Sequence, residues 1–322
     1  MNWDSERMLD LLACPRDFAA LTRSGEGLSC PDGHSYPMVS GIPVLLVEED
    51  DPTGYATRTL AEIRGGTASY STDPQDGIDE TVQKFVAATG GYFYKPVIGR
   101  LPRYPIPKVP QLDTDTGLFL DVGAGWGRWS IAAARKGFTV VALDPWLEEL
   151  AAAVRVAKQM GVEILPICGD ATKIPVVSGG FDVAFSYSVL QHFDKGEAAR
   201  SLAEMSRCLK PGGTLLVQLP NIFGVRQLFN RMLQLLGQRD TGPFRVRYWT
   251  GGQMRRSIAG SCEASVEIDG FFSLNPRSTD VDLLPLRYRV LVRASDRLRV
   301  AARLVPPLAW VADSLYLRGR RR

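Results

Sequence analysis

At 322 residues the chain has room for one catalytic-sized domain and a small additional module. Apolar residues make up 45% and charged residues 23%, the profile of an ordinary globular protein, and no run of about 18 apolar residues is present that would span a membrane. The net charge of +3 hides an asymmetry between a mildly acidic body and a strongly basic tail.

The first residues, Met1-Asn2-Trp3-Asp4-Ser5-Glu6, lack the basic-then-apolar pattern of a leader. Five cysteines, an odd number, do not suit a secreted disulfide framework, so a reducing cytoplasm is expected. Residues 1–50 read as a small separate unit containing Cys14-Pro15-Arg16-Asp17, Cys30-Pro31-Asp32-Gly33-His34 and Gly41-Ile42-Pro43-Val44. Residues 51–110 read as a linker and lead-in. Polar, Gly- and Pro-containing sequence runs to about Gly77, a helix is expected within 78–100, and prolines 102, 105, 107 and 110 hold an extended approach.

From residue 111 to 275 the pattern alternates between strand and helix. Leu118–Val122, Thr139–Leu143, Ile164–Ile167, Phe181–Phe185, Thr214–Leu219 and Val266–Phe271 are strand candidates. Ser130–Lys136, Leu147–Met160 and Ala198–Leu209 are the intervening helices, and 220–260 reads as an insertion. This alternation predicts an α/β fold, a mostly parallel sheet with helices on both faces, and ligand-binding loops at the C-terminal strand ends. Residues 276–322 read as a basic helical extension, Arg287–Val305 and Leu308–Leu317, split by Pro306-Pro307. From Arg287 onward ten arginines face only Asp296 and Asp313, a surplus of eight that leaves −5 for the rest of the chain.

The chemistry-bearing constellation begins at Asp121-Val122-Gly123-Ala124-Gly125-Trp126-Gly127, a Gly-rich turn between a strand and a helix, followed 21 residues after Gly123 by Asp144-Pro145 at the end of the next strand. Glycines permit the tight turn and close approach of a ligand, and an acid at that spacing can accept both ribose hydroxyls of an adenosine. On these residues alone a nicotinamide cofactor and S-adenosylmethionine remain open. The alternating glycines and the acid that opens the turn favour the latter, since Asp121 suits a cationic amino-acid moiety and would repel a pyrophosphate. Asp170-Ala171 follows the third strand, where an acid can meet an adenine amino group, and Ser186 to His192, including Gln191, follows the fourth.

With these motifs in order, residues 117–219 resemble the class I S-adenosylmethionine-dependent methyltransferases, in the branch called methyltransferase type 11. The resemblance implies a Rossmann-like, seven-stranded-type sheet. It also implies a cofactor site drawn from Asp121, Gly123, Ala124, Gly125, Trp126, Asp144, Pro145, Asp170, Ala171, Ser186 and Gln191. Methyl transfer from a sulfonium is mainly a matter of alignment and exclusion of water, and a hydroxyl acceptor additionally needs a base. His192 is the candidate base; the alternative is that it packs or caps its loop. Tyr187, Asp194 and Tyr92 or Tyr94 are weaker candidates, the last two also as a cover for the cofactor or as core. Asn221, Arg226, Arg245 and Arg247 are candidate contacts to an anionic or glycan substrate.

Residues 8–48 resemble the small zinc-ribbon family of the tRNA-methyltransferase activator subunit. The ligand set that resemblance implies is Cys14, Asp17, Cys30 and His34, with Asp17 and His34 standing where cysteines are usual; the alternative is a ribbon that has lost its metal. Any zinc would be structural. Cys168, Cys208 and Cys262 sit in apolar surroundings and read as core.

A small-molecule or glycan methyltransferase, acting on a hydroxyl oxygen, is the leading expectation. An RNA methyltransferase and a non-catalytic scaffold are the alternatives; the acidic body and the lack of an aromatic–basic platform speak against RNA. The basic tail suggests contact with an anionic membrane, or packing on its own domain or on a second copy as a homodimer.

Overall fold

The computed structural model describes residues 6–25, 27–47, 54–89, 92–235, 246–272, 274, 275, 277, 279–302 and 304–322. In chain order the elements are α1 (Glu6–Leu9), β1 (Thr22–Ser24), β2 (Gly27–Ser29), β3 (Ser35–Val39), β4 (Ile42–Leu45), α2 (Tyr55–Arg64) and α3 (Glu80–Thr89). There follow β5 (Gly117–Val122), α4 (Arg128–Lys136), β6 (Phe138–Asp144), α5 (Leu147–Gln159), β7 (Leu165–Gly169), β8 (Phe181–Tyr187), α6 (Lys195–Cys208) and β9 (Leu209–Pro220). The chain ends with α7 (Val225–Leu235), α8 (Gly251–Ile258), β10 (Cys262–Gly270), α9 (Leu286–Ala301), α10 (Pro306–Trp310) and β11 (Ser314–Arg321).

All the strands join one sheet in the order β1-β2-β3-β4-β7-β6-β5-β8-β9-β11-β10. The pairs from β4 to β9 are parallel, apart from the antiparallel N-terminal meander and the β9-β11-β10 edge. Apolar side chains alternate between the two faces. Phe119, Val183, Phe185 and Leu216 pack under α4 and α5, while Leu120, Ala184, Leu215 and Val217 pack under α6 and α8.

The N-terminal module is not a separate body. Its strand β4 pairs with β7 in register Val44↔Cys168 and Leu45↔Gly169, and Ala13 donates to the Pro175 carbonyl while Val177 donates to that of Leu11. β7 would otherwise present an unpaired edge, and the module covers it.

The stretch read as a linker contains α2. The segment from Ser71 into the first turn of α3 is fastened to α5 by Arg155, whose guanidinium donates to Asp79 at 2.6 Å, to the Ser71 carbonyl at 2.6 Å and to Thr81. The sequence signal of a linker was compositional, whereas this helix forms because its inner side is buried against Pro145 and Trp146.

The C-terminal extension is corrected most. Residues 314–321, whose first four were expected to end the helix Leu308–Leu317, are a strand inserted between β9 and β10, with Leu315↔Leu219 and Leu317↔Val266 in register. The spacing of Leu308, Val311, Ala312 and Leu315 fits a helix, yet the helix stops at Trp310 and the alternation Leu315, Leu317 against Tyr316, Arg318 fits the pleat. Strand formation here is decided by the vacant ladder on β9, a non-local fact.

Candidate functional site

Strand order reverses between β5 and β8, and the loops at the C-terminal ends of these strands meet there. The Gly-rich turn needs its glycines. Gly123 has φ +78 and a Cβ on it would run into Val189, whereas Gly127 has φ +82 and a Cβ on it would lie 2.8 Å from the Ala153 Cβ. The turn is tied to the end of β6: Gly123 and Ala124 both donate to the Leu143 carbonyl, at 2.8 and 2.9 Å.

Asp144 is the hub of this junction. Its carboxylate accepts the Gly125 N–H at 2.9 Å and the Trp146 N–H at 3.0 Å, and burial pushes its pKa up to about 6. Asp121 lies beneath the turn, buried, with the Ser130 hydroxyl donating to it at 2.6 Å; burial pushes it up to about 7. Two carboxylates held up in this way form a site that gains from a cation, since a positive ligand restores the charge that burial suppresses.

Beside Asp144, Trp146 is enclosed by groups that the sequence did not point to. Tyr55 stacks on it at 5.1 Å, Phe85 meets it edge-on at 4.9 Å and the Arg58 guanidinium lies 5.1 Å above it. The Thr59 hydroxyl donates to the Pro145 carbonyl at 2.8 Å, clamping α2 over this wall. Glu149, in the first turn of α5, is buried and its pKa is raised to about 8, by burial first and by the Asp144 charge second. Glu149 had a local signal in its place one turn into the helix after Asp144; Tyr55 and Arg58 had none, because nothing in a polar linker composition marks a contact 90 residues away.

The other expected cofactor residues divide. Gln191 is partly accessible in the 3-10 turn after β8, Ala124 lies in the Gly-rich turn, and Pro145 directly follows Asp144 at the end of β6. Asp170 and Ala171 follow β7, but the Asp170 carboxylate accepts the N–H and hydroxyl of Thr172. Ser186 is fully buried and donates to the Val122 carbonyl at 2.8 Å, holding β8 to β5. Trp126 is buried against Tyr104 with ring centroids 6.1 Å apart. In these three places the side chain already has a partner within the protein.

His192 closes the short 3-10 turn Leu190–His192, its Nε2 3.3 Å from the Gln191 amide nitrogen, while Arg247 donates to its carbonyl at 2.6 Å. Burial lowers its pKa, so the imidazole is neutral at neutral pH. Tyr187 donates to Asp269 at 3.1 Å, and Asp194 caps α6 by accepting the Glu197 N–H. Tyr94 is wholly buried and accepts the Asp280 N–H, a core position; Arg245 and the Tyr92 side chain lie outside the described residues. Asn221 is buried and donates to the Trp310 and Ala312 carbonyls at 2.8 Å each, which makes it a support for the chain before β11. Arg226 is exposed. Cys168, Cys208 and Cys262 are buried free thiols in the core.

At the far end of the sheet, Cys14, Asp17, Cys30 and His34 come together, their ligand atoms all within 4.8 Å of one another. His34 Nδ1 lies 2.9 Å from Asp17 Oδ2, 3.3 Å from Cys30 Sγ and 3.5 Å from Cys14 Sγ, and Cys30 Sγ is 3.3 Å from Asp17. A tetrahedron with metal–ligand bonds of about 2.1–2.3 Å has edges of about 3.4–3.8 Å, so the donor set fits zinc. The Ala19 N–H and the Cys14 thiol hold the Asp17 carboxylate well below its usual range, and Tyr36 Oη lies 3.1 Å from Cys14 Sγ as an outer support.

Residues 119–213 match the methyltransferase domain family. That span opens inside β5, takes in the Gly-rich turn, Asp144, Asp170 and His192, and closes just past the exposed residues Pro211 and Gly212 of β9. Among curated proteins the chain is 41% identical over 99 residues to a demethylmenaquinone methyltransferase of Renibacterium salmoninarum, covering 30% of this chain and 39% of that one. It is 33% identical over 132 residues to a ubiquinone biosynthesis O-methyltransferase of Caulobacter sp. (strain K31), covering 40% and 48%. It is also 35% identical over 131 residues to a malonyl-[acyl-carrier protein] O-methyltransferase of Xylella fastidiosa (strain M23), covering 39% and 41%. The chain thus spans less than half the length of these relatives.

Proposed function

We propose that the chain is an S-adenosylmethionine-dependent methyltransferase that moves a methyl group to a hydroxyl oxygen of a small-molecule or glycan acceptor by in-line displacement. The observation that carries the reading is the meeting, at the reversal of strand order, of the Gly-rich turn, the Asp144 hub and the His192 turn. The matched methyltransferase domain covers the same three features, and two of the three relatives above are named as O-methyltransferases.

Bound S-adenosylmethionine supplies a methyl group already activated by a positive sulfur. The chain's own residues then bind and orient. Asp144 takes the ribose hydroxyls, Asp121 places negative charge under the amino-acid end, and the Pro145–Trp146 wall under α2 borders the adenine side. His192, kept neutral by burial, is able to take the proton of the acceptor hydroxyl. The zinc at Cys14, Asp17, Cys30 and His34 belongs to the same reading as a structural ion, remote from the reacting atoms.

Calorimetry with S-adenosylmethionine tests the assignment. Asp144→Ala removes an anion from the proposed ribose contact and is expected to weaken binding about ten-fold or more; unchanged affinity would overturn it. With an acceptor found by screening, His192→Ala should lower kcat about 100-fold at unaltered cofactor affinity.

A further inference from the structure

Large apolar side chains are exposed on α7, α9 and α10. On α7, Val225, Leu228, Phe229 and Met232 recur at i, i+3, i+4 and i+7, which puts them on a single helical face, and Phe229 is 54% exposed. On α9, Leu286, Val290, Val300 and the following Leu304 share one outward stripe with Arg293 and Arg297, while Val292, Ser295 and Ala302 face inward. Leu286 and Leu304 are 74% and 85% exposed, and Trp310 at the end of α10 is 77% exposed.

The two helices are linked through α10, which follows α9 in the chain and packs against it. The Val225 N–H donates to the Val311 carbonyl at 3.1 Å, and Asn221 holds the Trp310 carbonyl, so the start of α7 and the end of α10 share a backbone seam. Phe223, itself exposed, flanks that seam. A patch of this kind on a globular protein marks an interaction site.

Its charge identifies the occupant. α7 and α9 carry seven arginines against a single acid, Asp296, and that acid is paired with Arg299 at 2.6 Å. A two-fold pairing of this face with a second copy would set arginine stripes against each other, which is unfavourable. Apolar side chains, a tryptophan and interspersed arginines suit the headgroup–acyl boundary of a membrane containing anionic lipid. We infer that α7, α9 and α10 form a peripheral docking surface for an anionic phospholipid bilayer. No helix among the described residues is long and apolar enough to cross one. The surface is distinct from the basic sequence Arg318–Arg321, which is spent on β11.

Co-flotation of the full chain with phosphatidylcholine vesicles, with and without phosphatidylglycerol, tests this directly. Binding is expected only to the anionic vesicles and should weaken with added salt. R293E/R297E should reduce it about twenty-fold or more, and L228E/F229E and W310E should each abolish it, all with an unchanged thermal midpoint because the side chains are exposed. No flotation of the wild-type chain, or equal flotation of the three variants, would overturn the proposal. So would sedimentation showing a dimer that L228E/F229E dissociates. Cofactor calorimetry on the same variants keeps this result separate from the methyltransferase reading, since none of these residues touches that junction.

Discussion

At the scale of single residues, Asp121 and Asp144 are carboxylates whose burial makes a cationic ligand favourable under the proposed function. Burial raises them to about 7 and about 6, so the folded chain holds their protons more tightly than the unfolded one does. Their contribution to stability is therefore complete below about pH 4 and is lost as pH rises through 6 and 7. Cationic S-adenosylmethionine favours the ionised forms. Its affinity is expected to rise from about pH 5 to pH 8 with release of protons, which calorimetry in buffers of different ionisation enthalpy reads directly. Proton uptake, or affinity flat across that range, would show that neither carboxylate faces the cation. Asp121, Gly123 and Asp144 were legible in the sequence because a turn and the acid ending the next strand are set by local spacing. The packing partners of Ser186 and Trp126 were not, because Val122 and Tyr104 reach them only in the folded chain.

Among the elements, the lead-in segment is the clearest case of structure made by a distant partner. Asp79 is fully buried and Arg155 nearly so, and their ion pair joins the segment before α3 to α5. Removing one partner leaves an uncompensated buried charge, which costs about 3–5 kcal/mol. Asp79→Ala should accordingly lower the midpoint of chemical unfolding sharply, while the exposed pair Arg58–Glu62 should be worth little when its acid is removed. Equal effects from the two substitutions would contradict the burial argument. The helix α2 that this segment carries supplies Tyr55 and Arg58 to the Trp146 wall, so its attachment bears on the site as well as on stability.

For the whole molecule, the sheet runs from the N-terminal module at one edge to β10 at the other, and the Cys14, Asp17, Cys30 and His34 cluster and the junction around Asp144 lie on one continuous scaffold. Zinc held by Cys14, Asp17, Cys30 and His34 would stabilise the cover over β7. Purified protein is expected to contain about one zinc per chain by elemental analysis, and chelation or Cys30→Ser should lower the thermal midpoint without removing cofactor binding. Metal-free protein with the same midpoint as the metal-loaded form would show that packing alone holds the module.

The sequence by itself determined what depends on near neighbours: the alternation of strands and helices, the Gly-rich turn, the acid at Asp144 and the four metal-type side chains of the module. These follow from backbone freedom at glycine, from apolar period and from ligand chemistry, all of which act over a few residues. Only the tertiary structure decided that Ser314–Arg321 is a strand, that β4 joins β7, and that Tyr55 reaches Trp146. Each of those outcomes depends on an open ladder or an exposed ring supplied by residues far along the chain, and the free energy that selects it is absent until the two parts meet.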